Sequence, residues 1–210
     1  MASKINVNLL TNFESAGAYI RLFNRLIVAF ILFTCFSYPL RARAADQLSA
    51  TINEFVTILV NTPVAELRAK GLPAKALDLV FSRFDFSEMT KRSLGRHWLM
   101  LAPDQQAEFI NAFTQRLLAA YGRTVRTGDE RIQFHNEAIN GNEATVNTKV
   151  VSSGEELPID YLLHATDGQW KVYDIVIDRV SIVSNYRAQF DRVIVRSSVQ
   201  ELLQRIKQPT

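Results

Sequence analysis

The chain has 210 residues, 24 Lys and Arg against 21 Asp and Glu, and a single cysteine, Cys35. Lys4, Arg21, Arg25, Arg41, Arg43 and Glu14 all fall in the first 44 residues, as does Cys35, so residues 45–210 carry 19 basic against 20 acidic side chains and no thiol. That near-neutral balance gives no argument for nucleic acid, which wants basic residues concentrated on one face, and the missing thiol excludes disulfides and thiolate metal sites.

The chain begins as an address. Arg21 and Arg25 lead into an apolar run, Leu26 to Phe33 and on through Cys35 and Phe36, and Ala42-Arg43-Ala44 supplies the small residues of a cleavage site. A positive segment, an apolar segment of roughly 7–15 residues and an A-x-A end define a secretory signal. Ser37, Pro39 and Arg41 break the run before it reaches the roughly 20 apolar residues that a membrane span needs. Residues 1–44 are therefore expected to be a cleavable signal peptide. Export places residues 45–210 in the periplasm, where one core suffices for one domain.

Helices come next. Leu48, Ile52, Phe55, Val56 and Leu59 repeat at helical spacing from Asp46 and stop at Asn61-Thr62-Pro63. A short segment ends at Gly71, and Pro73 opens a stretch carrying Leu77, Val80 and Phe81. Asp85 and Glu88 have the spacing of a reciprocal capping box, with Leu94 and Gly95 as the last turn and C′ residue. Pro103 then starts a helix whose stripe, Phe109, Phe113, Leu117 and Tyr121, ends at Gly122.

After Gly122 the period falls to two. Ile132 to Ile139, Ala144 to Val151, Leu157 to Ala165 and Trp170 to Ile177 read as strands, separated by Asn140-Gly141-Asn142, Ser152-Ser153-Gly154 and Asp167-Gly168. Connections this short give an antiparallel meander. A two-residue turn at Asp167-Gly168 sets Leu163 opposite Val172 and His164 opposite Lys171. Helices over Val183 to Arg196 and Val199 to Lys207 close the chain. The order predicts one α+β domain, its helical N-terminal half packed with a C-terminal helix over one face of a twisted antiparallel sheet of about four strands.

Catalytic signatures are absent: no phosphate-cradling glycine loop, no nucleophile elbow and no histidine pair at metal-ligand spacing. His97, His135 and His164 are scattered. Asp174, between Tyr173 and Ile175, is the oddest polar residue, because a carboxylate in an apolar strand needs a partner. A hydrogen-bond anchor, to Arg187 or to a backbone N–H, is its simplest role. No catalytic residue, cofactor or metal is expected.

The tract from Trp170 through Asp174, Asp178, Arg179, Asn185 and Tyr186 to Phe190 resembles the periplasmic phospholipid-binding family of the Mla, or toluene-tolerance, pathway. Phe84-Asp85-Phe86, Met89, Leu94-Gly95-Arg96-His97-Trp98, Gln106, Phe109 and Phe113 are similar to its helical signature. Arg179 departs from the family, which usually has Gly there. The resemblance implies a carrier, not an enzyme, that shields acyl chains in an apolar cavity and shuttles lipid between an inner-membrane ABC-type transport complex and an outer-membrane lipoprotein complex. Its ligand would be a phospholipid or a related lipid such as a hopanoid. The expected walls are Val146, Val150, Leu163 and Val172 on the sheet, faced by Phe109, Phe113, Leu117, Val183 and Tyr186. Trp98, Tyr121 and Tyr161 add aromatic surface, and a bulge in the last strand would exchange Val172 for Tyr173 and Ile175. Two alternatives stay open on residues alone: a periplasmic hydrolase-like enzyme using Asp174, and a protein-interaction module on a similar scaffold.

Overall fold

A helical half and a sheet half follow one another, and two helices return the chain to the first half. The computed structural model describes residues 43–208 apart from 64–65, 68–70, 122–130 and 153, and apart from the side chains of Val60 and Tyr121. Residues 1–42 of the expected leader, part of the segment before Gly71, and Gly122 therefore lie outside the described residues.

Helix α1 spans Ala44–Val60 and buries Leu48 and Leu59, as the apolar spacing requires. Helix α2, Ala74–Arg83, starts directly after Pro73. The Arg83 guanidinium ties it down, donating to Thr51 Oγ1 at 3.0 Å, Gln47 Oε1 at 2.9 Å and the Trp170 carbonyl at 2.8 Å. Helix α3, Phe86–Leu94, is capped by Asp85, whose carboxylate accepts the Glu88 N–H at 2.8 Å. The reciprocal half of the box does not form. Asp85 N–H donates to the Val172 carbonyl at 2.8 Å, and the Glu88 carboxylate is taken by Lys91 and Arg92, because a strand edge competes for the cap. Gly95 ends α3 at φ 56°, where an added Cβ would stand 2.9 Å from Arg187 Nε. A 3-10 segment, Gly95–Met100, leads to helix α4, Pro103–Tyr121.

The strands are β1 Arg131–Asn140, β2 Glu143–Ser152, β3 Glu155–Thr166, β4 Gln169–Ile177 and the two-residue β5 Val180–Ser181. They lie in chain order, each antiparallel to the next. Leu163 pairs with Val172 and His164 with Lys171, as the Asp167-Gly168 turn demands. Helix α5, Ile182–Arg196, begins at once after β5, with the Ser181 hydroxyl accepting the Ser184 N–H. Helix α6, Val199–Lys207, is capped in the same way by Ser198. The architecture is α+β, with a fifth short strand beyond the four that periodicity revealed.

Apolar burial divides in two. One cluster joins α3, α4, α5 and α6 around Phe109, Phe113, Leu117, Val183 and Phe190. The other joins α1 to the sheet through Leu48, Val146, Leu163, Trp170 and Val172. Phe84 and Ile175 pack against both.

The turn from β4 to β5 is built from Asp178 at φ 45° and Arg179 at φ 67°. Two successive left-handed residues make the tight hairpin turn that glycine favours, and a β-carbon there costs about 1 kcal/mol. Replacing Arg179 by glycine is expected to stabilise the protein by roughly 0.5–1 kcal/mol, less the entropy that glycine adds to the unfolded chain. Urea midpoints of the two proteins check this.

Candidate functional site

Alternation along the strands assigns the side of the sheet that meets the helices. Ala144, Val146, Thr148 and Val150 of β2 share it with Leu163, Tyr161, Ile159 and Leu157, their partners on β3. From β1 come Ile132, Phe134 and Glu137, and from β4 Val172, Ile175 and Ile177. The β4 set keeps one face only because of a bulge: Leu162 pairs with Asp174 and Leu163 with Val172, so Tyr173 is the extra residue. The bulge keeps Val172 on the inner face and adds Ile175 to it. Tyr173 instead packs under the Arg92 guanidinium, 3.9 Å from its ring centre, and meets His164 edge-on.

Burial grades along this face. Ala144, Val146, Thr148, Leu163 and Val172 are buried, under α1 at one end of the sheet. Towards the other end, Ile132, Phe134, Val150, Ile159, Tyr161, Ile175 and Ile177 are only half-buried, and Leu157 is 41% exposed. Side chains that fill a core lose nearly all their surface, so the two ends differ in kind.

The expected wall residues divide along that gradient. Phe109, Phe113, Leu117 and Val183 are buried in the helical cluster, with Trp98 and Tyr186 half-buried against it. Tyr186 meets Phe113 edge-on, ring centres 4.8 Å apart. Val146, Leu163 and Val172 are buried in the sheet cluster, and Tyr161 packs against it. Val150 is half-buried on the same face and belongs to neither cluster. Tyr173 is not brought together with the others, and the Tyr121 side chain lies outside the described residues. Sequence reasoning passed over Phe134, Ile159 and Ile177. Counting by twos from Tyr161 and Ile175 reaches Ile159 and Ile177, and Phe134 lies across from Thr148.

Tyr161 is the most informative of these. Its hydroxyl makes no hydrogen bond among the described residues, and burial pushes its pKa up to about 12. Between pH 10 and about 12 an unfolded chain gives up this proton while the native protein keeps it, so Tyr161 makes stability fall as pH rises through that window. Absorbance titration at 295 nm of the protein and of Tyr161→Phe is expected to differ by one phenolate appearing near pH 12.

The other polar candidates are structural. Asp174 Oδ1 accepts the Val183 N–H at 3.0 Å and Oδ2 accepts the Ser181 hydroxyl at 2.5 Å, so the carboxylate anchors the start of α5 through a backbone N–H and not through Arg187. His97 is buried with Nε2 2.8 Å from Asp191 Oδ1, which Arg96 also holds at 3.0 Å; these contacts, His97 first, keep the Asp191 carboxyl below the usual range. His164 pairs with Asp85 at 3.0 Å, and His135 occupies an exposed bulge in β1. Arg187 lines a surface cleft with Leu94, Arg96, Ser184, Ala188 and Asp191, away from the sheet face.

A structure of a phospholipid-binding protein from Ralstonia solanacearum, in complex with a phospholipid, superposes with a TM-score of 0.71 at 26% identity, covering 79% of this chain and 95% of that one. The toluene tolerance protein ttg2D of Pseudomonas putida is 26% identical over 104 residues, 45% of this chain; the match spans about half the length of that relative, 46%. The model of the MlaC protein family matches residues 49–208. That match runs from within α1 past the end of α6 and takes in the helical cluster, most of the sheet cluster and the half-covered sheet face, so the chain belongs to the MlaC family.

Proposed function

We propose that this chain is a non-enzymatic phospholipid carrier of the periplasm, reached by export and removal of residues 1–44, and that the half-buried end of the inner sheet face holds the acyl chains. The observation that carries the reading is the half-covered end of that face, where Tyr161 and its apolar neighbours keep accessible surface beside two packed clusters. Burial also pushes the Tyr161 pKa up to about 12, in keeping with low-dielectric surroundings. Val150, Ile159, Ile175 and Ile177 stand around it on the same face. The phospholipid in the Ralstonia relative supports the choice of ligand.

The energetics suit a carrier. A sixteen-carbon chain leaves water with a gain of about 12 kcal/mol at about 0.8 kcal/mol per CH₂, so only a comparably dry hollow competes with a bilayer. An empty hollow costs roughly 24 cal/mol per Å³ left unfilled, so the protein keeps lipid when it is purified. The family supports passage between an inner-membrane ABC-type complex and an outer-membrane lipoprotein complex as the task this binding serves. Native mass spectrometry of protein isolated from its own cells, followed by organic extraction, tests the proposal. Phospholipid bound at a fixed ratio is expected; a lipid-free chain of the same stability sinks it.

A further inference from the structure

Glu137 lies on the inner sheet face opposite Val146, and its side chain is only 4% exposed. It faces the start of α1. Oε1 accepts the backbone N–H of Ala45 at 2.7 Å, and Oε2 accepts from Arg43 Nε at 2.6 Å. The cleavage motif Ala42-Arg43-Ala44 ends at the bond that frees this nitrogen. Cutting there removes Arg43 and converts the Ala45 amide into an ammonium group while leaving it 2.7 Å from a buried carboxylate.

We infer that Glu137 is the seat of the α-ammonium group that export creates at Ala45, exchanging the Arg43 guanidinium for the chain's own N-terminus. The inference rests on the reading that the leader ends at Ala44. Hydrolysis of the Ala44–Ala45 bond adds one water, leaving a carboxylate on the departing leader and an amine at Ala45 that takes up a proton. A carboxylate lined by apolar strand neighbours needs such a cation, since an unpaired buried charge is costly. In the processed chain this ion pair takes over from Arg43 in holding α1 over β1 and β2.

Other charges near this nitrogen are few. Asp46 follows on α1; Arg83 of α2 reaches α1 at Gln47 and Thr51; β2 presents Val146 opposite Glu137, and β4 presents Trp170 and Val172. An α-amine ordinarily titrates near 7.7–8.0, and a carboxylate partner raises that value in the folded state. The stabilisation is therefore complete below about pH 7.7 and is lost as pH rises through the folded value. Tyr161 and Tyr173 are both shifted upward, away from this window.

Intact mass of the protein from the periplasm comes first. Any start other than Ala45 overturns both the cleavage reading and the inference. With Ala45 at the start, thermal midpoints are expected to fall by roughly 3–5 °C between pH 7 and 9.5 for a one-unit shift, and to stay level in Glu137→Gln. Should Glu137→Gln not fold, trace acetylation of the unaltered protein across the same pH range reads the amine directly. An N-terminus titrating at its ordinary value, or equal pH slopes in the two proteins, overturns the inference and leaves the cleavage reading standing.

Discussion

Phe113→Ala is expected to destabilise the protein by about 4 kcal/mol, within the usual range for deleting a buried ring. Phe113 has no exposed surface and meets two rings edge-on, Tyr186 at 4.8 Å and Phe190 at 5.2 Å, so it fastens α4 to α5. Removing it leaves a void that neither helix can close, because α6 packs into the same cluster. Against a total stability of about 5–15 kcal/mol this is a large loss. Val150→Ala serves as the contrast. Val150 is half-buried and in neither cluster, so its truncation is expected to cost under about 1 kcal/mol. Urea unfolding of the two variants checks the division between packed interior and proposed lipid-facing wall; equal losses would contradict it.

Ile159→Asp is expected to do the opposite, sparing the fold and emptying the hollow. Ile159 stands between Thr148 and Ile177 on the half-buried end of the inner face. A carboxylate there keeps its water, and that water excludes hydrocarbon. Losing contact with about four CH₂ groups at about 0.8 kcal/mol each is roughly 3 kcal/mol, about two orders of magnitude in affinity. Phosphorus analysis of the purified variant is expected to show less than about a tenth of the normal lipid, with far-UV circular dichroism unchanged. Full lipid occupancy in this variant would move the acyl chains away from β3.

Much of the fold was legible because its punctuation is local. Gly141, Gly154 and Gly168 carry the positive φ that tight hairpins require, and once those turns are set each strand's register follows. The ends of α6 and the Asp85 cap were equally readable. What escaped depends on distant partners. The reciprocal half of the Asp85 cap failed because β4 took its N–H, and β5 was invisible because two residues carry no period. Tyr173 left the inner face through a bulge whose existence the sequence allowed but whose position it did not mark. The wall residues were the least legible. Phe113 and Val150 look alike as apolar residues in regular elements, and only the packing around them separates a filled interior from a half-covered face.

The bulge at His135 and the inward carboxylate of Glu137 lie on the same strand, β1, which has no neighbour on its outer side among the described residues. The opposite margin is covered, by Phe84 bridging to Val172 and by β5. An open strand is a template on which a second copy of the chain can add, and a kink together with a charge turned toward the interior spoils that template. β1 thus resists growing the sheet from one molecule into the next, which guards the domain against edge-to-edge aggregation.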